Sequence, residues 1–350
     1  GKISDLKKNE LIKKIYSKKI SVVIGTHSLI QDNVKFNNLG LVIIDEQHRF
    51  GVEQRKKITQ NAFGGQKNKD LSPHFLSMTA TPIPRSLALS IYRDLDLSII
   101  DQMPPNRKKV EIKIIDNKNN EELERMHKLI EDQIIEGRQI FVVCPIIDPS
   151  DRLGAQSVKQ EYEKLKKQIF PQFNIGVLHG RLNSAKKEKI MKNFLNNKIN
   201  ILISTTVVEV GIDIPNASIM LIEGAERFGL AQLYQLQGRV GRSQHQSYCF
   251  LSLENDSSAN AQKRIRAILT AKNGFELAEL DLEMRGEGNI LGSEQSGFAS
   301  NLKIAKLSDV EIIKKAQKSA NQIIEEGLEL KNYPELKEKI KHLFVVDQLD

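Results

Sequence analysis

The feature that most constrains the fold of this 350-residue chain is a series of short apolar runs rich in Ile and Val. They lie at 21–24, 41–44, 112–115, 140–143, 175–178, 201–203 and 219–222. Apart from Lys113 in the run at 112–115, they do not alternate polar with apolar residues. A strand that is apolar on both sides must be covered on both, and buried parallel strands flanked by helices read this way. Helical patterns lie between several runs. Leu123, Met126, Ile130 and Ile134 recur at spacings of three and four, and Gly137 follows where a C-terminal cap needs conformational freedom. Ser184 is expected to cap a second helix with an inner face of Ile190, Met191, Phe194 and Leu195. Strand–helix–strand repetition of this kind predicts an α/β fold with right-handed crossovers.

The pattern breaks at 103–107, where Pro104 and Pro105 exclude both a helix interior and a central strand, so this is a linker. Beyond about residue 252 the strand pattern stops. Segments 257–272 and 308–327 read as helices, separated by a Gly-rich stretch at 274–297. The organisation is two α/β lobes followed by a helical C-terminal piece.

Composition removes several classes. Hydrophobic residues at 40% and charged residues at 27% exclude disordered, collagen-like and coiled-coil chains. The longest apolar run, 140–147, is interrupted by Pro145 and falls short of the roughly 18 residues a membrane span requires. The N-terminus has no apolar stretch of the secretory kind, and its first residue is Gly rather than Met. Cys144 and Cys249 are the only cysteines, which excludes a disulfide framework or a CxxC metal site. Both lie in apolar runs, as buried inert thiols of a reducing compartment do. A net charge of +8 suits a polyanionic partner, and suits equally well a coding bias toward Lys, Asn and Ile. With no Trp and 5% aromatics, binding by stacking bases on aromatic rings is disfavoured.

Three motifs carry chemistry. In the first, the run Val42-Ile43-Ile44 ends in Asp45-Glu46-Gln47-His48. Ligands bind at the carboxyl ends of strands in such sheets. There one carboxylate can hold Mg²⁺ and its neighbour can orient or deprotonate an attacking water. An acidic pair at a strand end is also a common solvated turn. The second is Thr79-Ala80-Thr81-Pro82, two hydroxyls after a run, where Thr81 can equally cap a helix with Pro82 at its first position. The third is Gln235-Leu236-Gln237-Gly238-Arg239-Val240-Gly241-Arg242. Two arginines three apart on one helical face suit a phosphate clamp, because the planar guanidinium binds phosphate bidentately and is always charged. Alone, it could be a basic surface helix.

The conjunction is more specific than its parts. DEQH, then TAT, then Ser204-Thr205-Thr206 with Gly211-Ile212-Asp213, then QxxGRxGR, in this order across two α/β lobes, resembles the superfamily 2 helicases and translocases. The resemblance narrows over residues 45–55, 78–85 and 225–233, which look like the RecG family of branch-migration helicases. The stretch from Arg264 through 281–286 to Gln295-Ser296-Gly297 is similar to the translocation element shared by RecG and the transcription-repair coupling factor. Gln47-His48 follows the RecG pattern, whereas Gln237 stands where RecG-like sequences usually carry Arg. The resemblance covers nearly the whole chain.

It implies two RecA-like parallel-sheet lobes, the first truncated, followed by a helical hairpin-and-loop element. The divisions are 1–104, 105–255 and 256–350. ATP and Mg²⁺ are the implied cofactors. Asp45 would hold Mg²⁺ and Glu46 would be the catalytic base. His48, Thr79 and Thr81 would link the ATP site to DNA, and Gly25, Thr26 and Thr206 would contact the DNA backbone. Gly211 and Asp213 would contact the nucleotide, Gln235 would sense it, and Arg239 and Arg242 would reach its phosphates. Arg264, Arg285 and Gln295 would couple ATP state to translocation. For Arg285 a surface ion pair with Glu283 or Glu287 is the alternative.

The activity so implied is 3'-5' type translocation on branched duplex DNA, such as Holliday junctions and stalled forks, in recombination and repair. It implies a bacterial cytoplasmic monomer, with single-stranded DNA-binding protein as a further partner. A fragment of a transcription-repair coupling factor, a non-catalytic DNA-binding remnant and an unrelated phosphoryl-transfer enzyme are the other readings. No GxxxxGK[ST] loop occurs in the chain, so nothing in it matches the backbone nest and Lys that cradle the β and γ phosphates. By resemblance the chain is the C-terminal part of a RecG protein, without its N-terminal wedge and cut inside the first lobe. The purified 350-residue chain is therefore expected to show no significant ATPase activity, and DNA-stimulated hydrolysis by it would overturn that expectation.

Overall fold

The computed structural model describes residues 5–31, 33–46, 58, 73–81, 83–84, 96–105, 107–145, 155–205, 214–253, 259–285, 310–327 and 330–346. The chain forms two compact units, Gly1–Thr81 and Pro82–Asp350.

In the first unit, helix α1 (Asp5–Tyr16) precedes two parallel strands, β1 (Leu41–Ile44) and β2 (His74–Ser77). They pair from Leu41↔His74 to Ile44↔Ser77. The expected strand at 21–24 does not form. A strand needs a neighbour, none of the described strands pairs with it, and Ile24 is 94% exposed. β1 is apolar on both faces as its sequence implies, yet Leu41, Ile43 and Leu76 are all exposed.

The second unit contains a six-stranded, wholly parallel sheet. Its strands are β3 (Glu111–Asp116), β4 (Gln139–Val143), β5 (Ile175–Leu178), β6 (Ile201–Ser204), β7 (Ala217–Ile222) and β8 (Tyr248–Leu253), in spatial order β3-β8-β7-β4-β6-β5. Every residue of β4, β6 and β7 is buried. Successive side chains alternate between the faces, which produces two apolar layers. Ile140, Val142, Ile201, Ile203, Ile219 and Leu221 pack with Met126, Ile130 and Ile134 of α2 (Asn120–Ile135) and with Val158 of α3 (Ala155–Lys164). On the other face Phe141, Val143, Leu202, Met220 and Ile222 pack with Phe194 of α4 (Ser184–Leu195) and with α5 (Leu230–Gln237) through Leu230, Leu233 and Leu236.

Helix ends follow local chemistry. Asn119 caps α2 by accepting the Glu122 N–H, with Glu121 and Glu122 placed favourably in the first turn. Gly137 ends it at φ +82, as the sequence implies. For α4 the cap is Asn183 rather than Ser184. The Asn183 backbone is extended and its Oδ1 accepts the Lys186 N–H at 2.9 Å, leaving Ser184 as the first helical residue. The inner face is also one residue shorter than expected: Phe194 is fully buried, but Leu195 points outward at 54% exposure.

The C-terminal region is more helical than expected. Between α6 (Ala259–Thr270) and 286–297 lies α7 (Gly274–Arg285), where the glycines suggested only loop. Asn273 caps α7 through the Glu276 N–H, and the Glu276 carboxylate accepts the Lys272 N–H in return, which offsets the poor helix propensity of Gly274. Ile265 and Ile268 of α6 and Leu277 of α7 join the same apolar layer as α5. Further on are α8 (Val310–Glu326) and α9 (Pro334–Val346). No helix among the described residues is long and apolar enough to cross a membrane. Both cysteines are buried, and burial pushes the Cys249 thiol up to about 12.

Two measurements check this architecture. Phe194→Ala is expected to destabilise the second unit by about 3–5 kcal/mol in denaturant unfolding, with Leu195→Ala costing less than about 0.5 kcal/mol. Amide exchange in the whole chain should be fast across 21–44 and slow across β4 and β7. Strong protection across 21–44 would contradict the exposed, two-stranded character of the first unit's sheet.

Candidate nucleotide and DNA sites

In the first unit the two motifs expected to act together lie at adjacent carboxyl ends. Ile44 pairs with Ser77, and the Met78 N–H continues the ladder by donating to Ile44 O at 2.8 Å. Asp45-Glu46 and Thr79-Ala80-Thr81 therefore leave the sheet side by side. Asp45 is exposed and its Oδ1 accepts the Glu46 N–H at 2.9 Å. Glu46 is half-buried and holds φ +55, a left-handed backbone that non-glycine residues rarely adopt. Backbone strain of this kind gathers at functional sites. The Thr81 N–H donates to Thr79 Oγ1 at 3.1 Å, which turns the chain immediately after β2.

Gly25 and Thr26 lie where a short 3₁₀ turn (His27–Ile30) begins. The Leu29 N–H donates to Thr26 O, and the Thr26 hydroxyl, beside that of Ser28 at 3.4 Å, is exposed. A Cβ on Gly25 would meet the Leu29 side chain at 2.8 Å, so a larger residue here would require that side chain to shift.

In the second unit, Gln235 is on α5 but Arg239 and Arg242 are not. The helix ends at Gln237, with Gly238 as its cap. The arginines project from the following turn instead of sharing a helical face. Within it Arg242 Nε donates to Gly238 O at 3.1 Å, and Gly241 sits at φ +72. The helix thus stops before the arginines, which periodicity alone does not reveal.

Arg264 lies on α6 and reaches back to the segment that precedes α5. Its Nη2 donates to Glu226 O at 2.6 Å and to Phe228 O at 3.4 Å. Those carbonyls belong to the turn Ala225–Arg227 and its C-cap, so the C-terminal hairpin is bonded directly to the entry of the helix carrying Gln235. Arg285 is the last residue of α7. His48, Thr206, Gly211, Asp213 and Gln295 lie outside the described residues.

The sequence reading missed a polar cluster at the carboxyl ends of β4, β7 and β8. Strand order reverses at β4, which has β6 on one side and β7 on the other. Glu223 follows β7, donating its N–H to Val143 O, and its Oε2 accepts the Ser252 hydroxyl at 2.6 Å. Lys164 Nζ lies 3.2 Å from Glu161 Oε1 and 3.9 Å from Glu223 Oε1. Burial, and then the charge of Glu223, raises the Glu161 carboxyl above its ordinary value. Burial alone would lower the Lys164 ammonium, but Glu223 and Glu161 outweigh it and hold it above the usual lysine value. Isolated Glu and Lys residues on a polar helix gave no signal of this arrangement. Among the described residues no group of three or more His, Cys, Asp or Glu side chains is placed to hold a metal ion.

Comparison with known proteins extends these observations. Residues 2–89 match the family model for DEAD/DEAH box helicases, and 121–244 match that for the helicase conserved C-terminal domain. Residues 271–344 match the model for ATP-dependent DNA helicase RecG, domain 3, C-terminal. The chain is 43% identical over 340 residues to ATP-dependent DNA helicase RecG of Synechocystis sp., covering 97% of this chain and 40% of that protein. It is 45% identical over 312 residues to the RecG of Thermotoga maritima, covering 89% and 38%. The RecG of Escherichia coli is 44% identical over 312 residues, covering 89% and 44%. The chain thus spans less than half the length of these relatives. A solved structure of RecG bound to a three-way DNA junction superposes with TM-score 0.66 at 39% identity, over 90% of this chain and 38% of that one. The helicase MrfA bound to DNA, at 16% identity and TM-score 0.56, shares the fold. With the three family models matched in chain order and identity of 43–45% over most of its length, the chain belongs to the RecG family of superfamily 2 helicases.

Proposed function

We propose that the protein works as an ATP-dependent DNA translocase of the 3'-5' type that remodels branched duplex DNA such as Holliday junctions and stalled forks. In this reading 1–104 and 105–255 are the two motor lobes and 256–350 is the coupling element. The observation that carries it is that Asp45-Glu46 and Thr79-Ala80-Thr81 follow the adjoining carboxyl ends of two paired parallel strands, where Ile44 pairs with Ser77 and the Met78 N–H donates to Ile44 O.

The donor set fits Mg²⁺ with ATP. A hard cation of this size is held by one or two carboxylates with water and substrate phosphates making up the rest, and Asp45 is an exposed carboxylate at a strand end. Bound there, the cation neutralises charge on the phosphates. Glu46, the half-buried carboxylate next in the chain, would accept the proton of the attacking water. Arg239 and Arg242 stabilise the charge that develops on the transferred phosphoryl group, and Gln235 senses the nucleotide from the same helix end. Asp213 and Gly211 serve the nucleotide, while Gly25, Thr26 and Thr206 contact DNA phosphates. His48, Thr79 and Thr81 relay between the sites. Arg264, bonded to the carbonyls that lead into α5, gives the coupling element a direct hold on the nucleotide side, with Arg285 and Gln295 completing it.

The match to RecG supports branched DNA as the substrate, and a bacterial cytoplasmic monomer working alongside single-stranded DNA-binding protein belongs to the same reading. The full-length protein tests it. Arg239→Ala is expected to lower kcat for DNA-stimulated ATP hydrolysis by about 10³-fold, and Glu46→Gln to abolish turnover with ATP still bound. Unchanged kcat in both variants would overturn the reading. In that case salt-dependent junction binding that ignores nucleotide would favour a DNA-binding role without catalysis.

A further inference from the structure

The linker that enters the second lobe is bonded to the turn that carries the two arginines. Arg107 Nε donates to Gly241 O at 2.6 Å. Gly241 lies between Arg239 and Arg242, is buried, and holds φ +72. A Cβ there would come within 2.7 Å of Val110 Cγ2, so the linker packs directly beneath this backbone. Two further bonds follow in register: Gln246 Nε2 donates to Lys109 O at 3.0 Å, and the Glu111 N–H donates to Ser247 O at 2.9 Å. Lys108 and Lys109 beside it are exposed, whereas Arg107 is half-buried. Arg107 lies outside the 121–244 helicase match and belongs to none of the motifs read from the sequence.

A turn built on two glycines has many backbone states open to it, and arginines that must meet phosphate need one of them. A hydrogen bond from a charged donor to a part-buried carbonyl is among the stronger ones available to select it. We propose that Arg107 is a positioning residue for the arginine pair: through the Gly241 carbonyl it fixes the Gly238–Arg242 turn and ties it to the linker. The proposal rests on reading Arg239 and Arg242 as the phosphate clamp. Arg107 itself touches no nucleotide. Its bond makes the linker and the turn one body, so a change in linker path shifts the clamp.

Arg107→Met removes the donor, while Arg107→Gln keeps an N–H donor on the atom bonded to Cδ, where Arg carries Nε. In Arg107→Met, exchange at the Arg239 and Val240 amides of the 350-residue chain is expected to rise about tenfold or more, with β4 amides unchanged. In the full-length protein kcat for ATP hydrolysis falls by a similar factor with KM within about twofold, and Arg107→Gln recovers most of both effects. If Arg107 only anchors the edge strand, faster exchange is confined to Glu111–Asp116 and kcat is unchanged, which overturns the proposal. An Arg239→Ala variant with normal turnover would refute the clamp reading instead, and the exchange arm still decides whether Arg107 holds the turn.

Discussion

All six described strands of the second unit run in one direction, and the rest of the unit follows from that constraint. Parallel pairing puts every carboxyl end on one edge of the sheet and every crossover on a face. The crossovers bury both faces, which is why β4, β6 and β7 tolerate no exposed residue. Polar groups are then pushed to the edge where strands end. Glu223, Ser252, Lys164 and Glu161 meet there, and the hydroxyls of Ser204 and Thr205 end β6 at the same edge. The first unit repeats the logic on a smaller scale, with its acidic pair and its threonines at the ends of two parallel neighbours.

The C-terminal helices depend on that sheet through α5. α5 packs one side on the sheet layer and shares that layer with α6 and α7. It is also the helix whose C-terminus releases the arginine turn. Arg264 holds its entry and Arg107 holds the turn beyond its exit, one from the C-terminal hairpin and one from the linker. Two segments distant in sequence are thus bonded to the backbone just before and just after the same short helix.

Much of this was legible in the amino-acid sequence because burial on two faces leaves a distinct mark. The runs at 41–44, 112–115, 140–143, 175–178, 201–203 and 219–222 all became strands, and Gly137 ended α2 as its position implies. Run 21–24 carries the same mark without a pairing partner among the described residues, and pairing is a property of the fold rather than of the segment. Asn183 displaced Ser184 as a cap because both can accept the same kind of bond and the backbone entering the helix decides between them. Motif order singled out the acidic pair, the threonines and the arginines as candidates. It could not place the arginines beyond their helix, nor reveal Arg107, whose partner is a carbonyl 134 residues away that any residue could supply.

The left-handed backbone of Glu46 carries a consequence for evolution at that position. An L-residue there costs roughly 1–2 kcal/mol relative to one that tolerates the conformation. Glycine, and to a lesser degree asparagine, would relieve that cost while discarding the carboxylate. Stability and chemistry therefore pull on this one residue in opposite directions. A substitution that relieves the strain would remove the proposed base along with it.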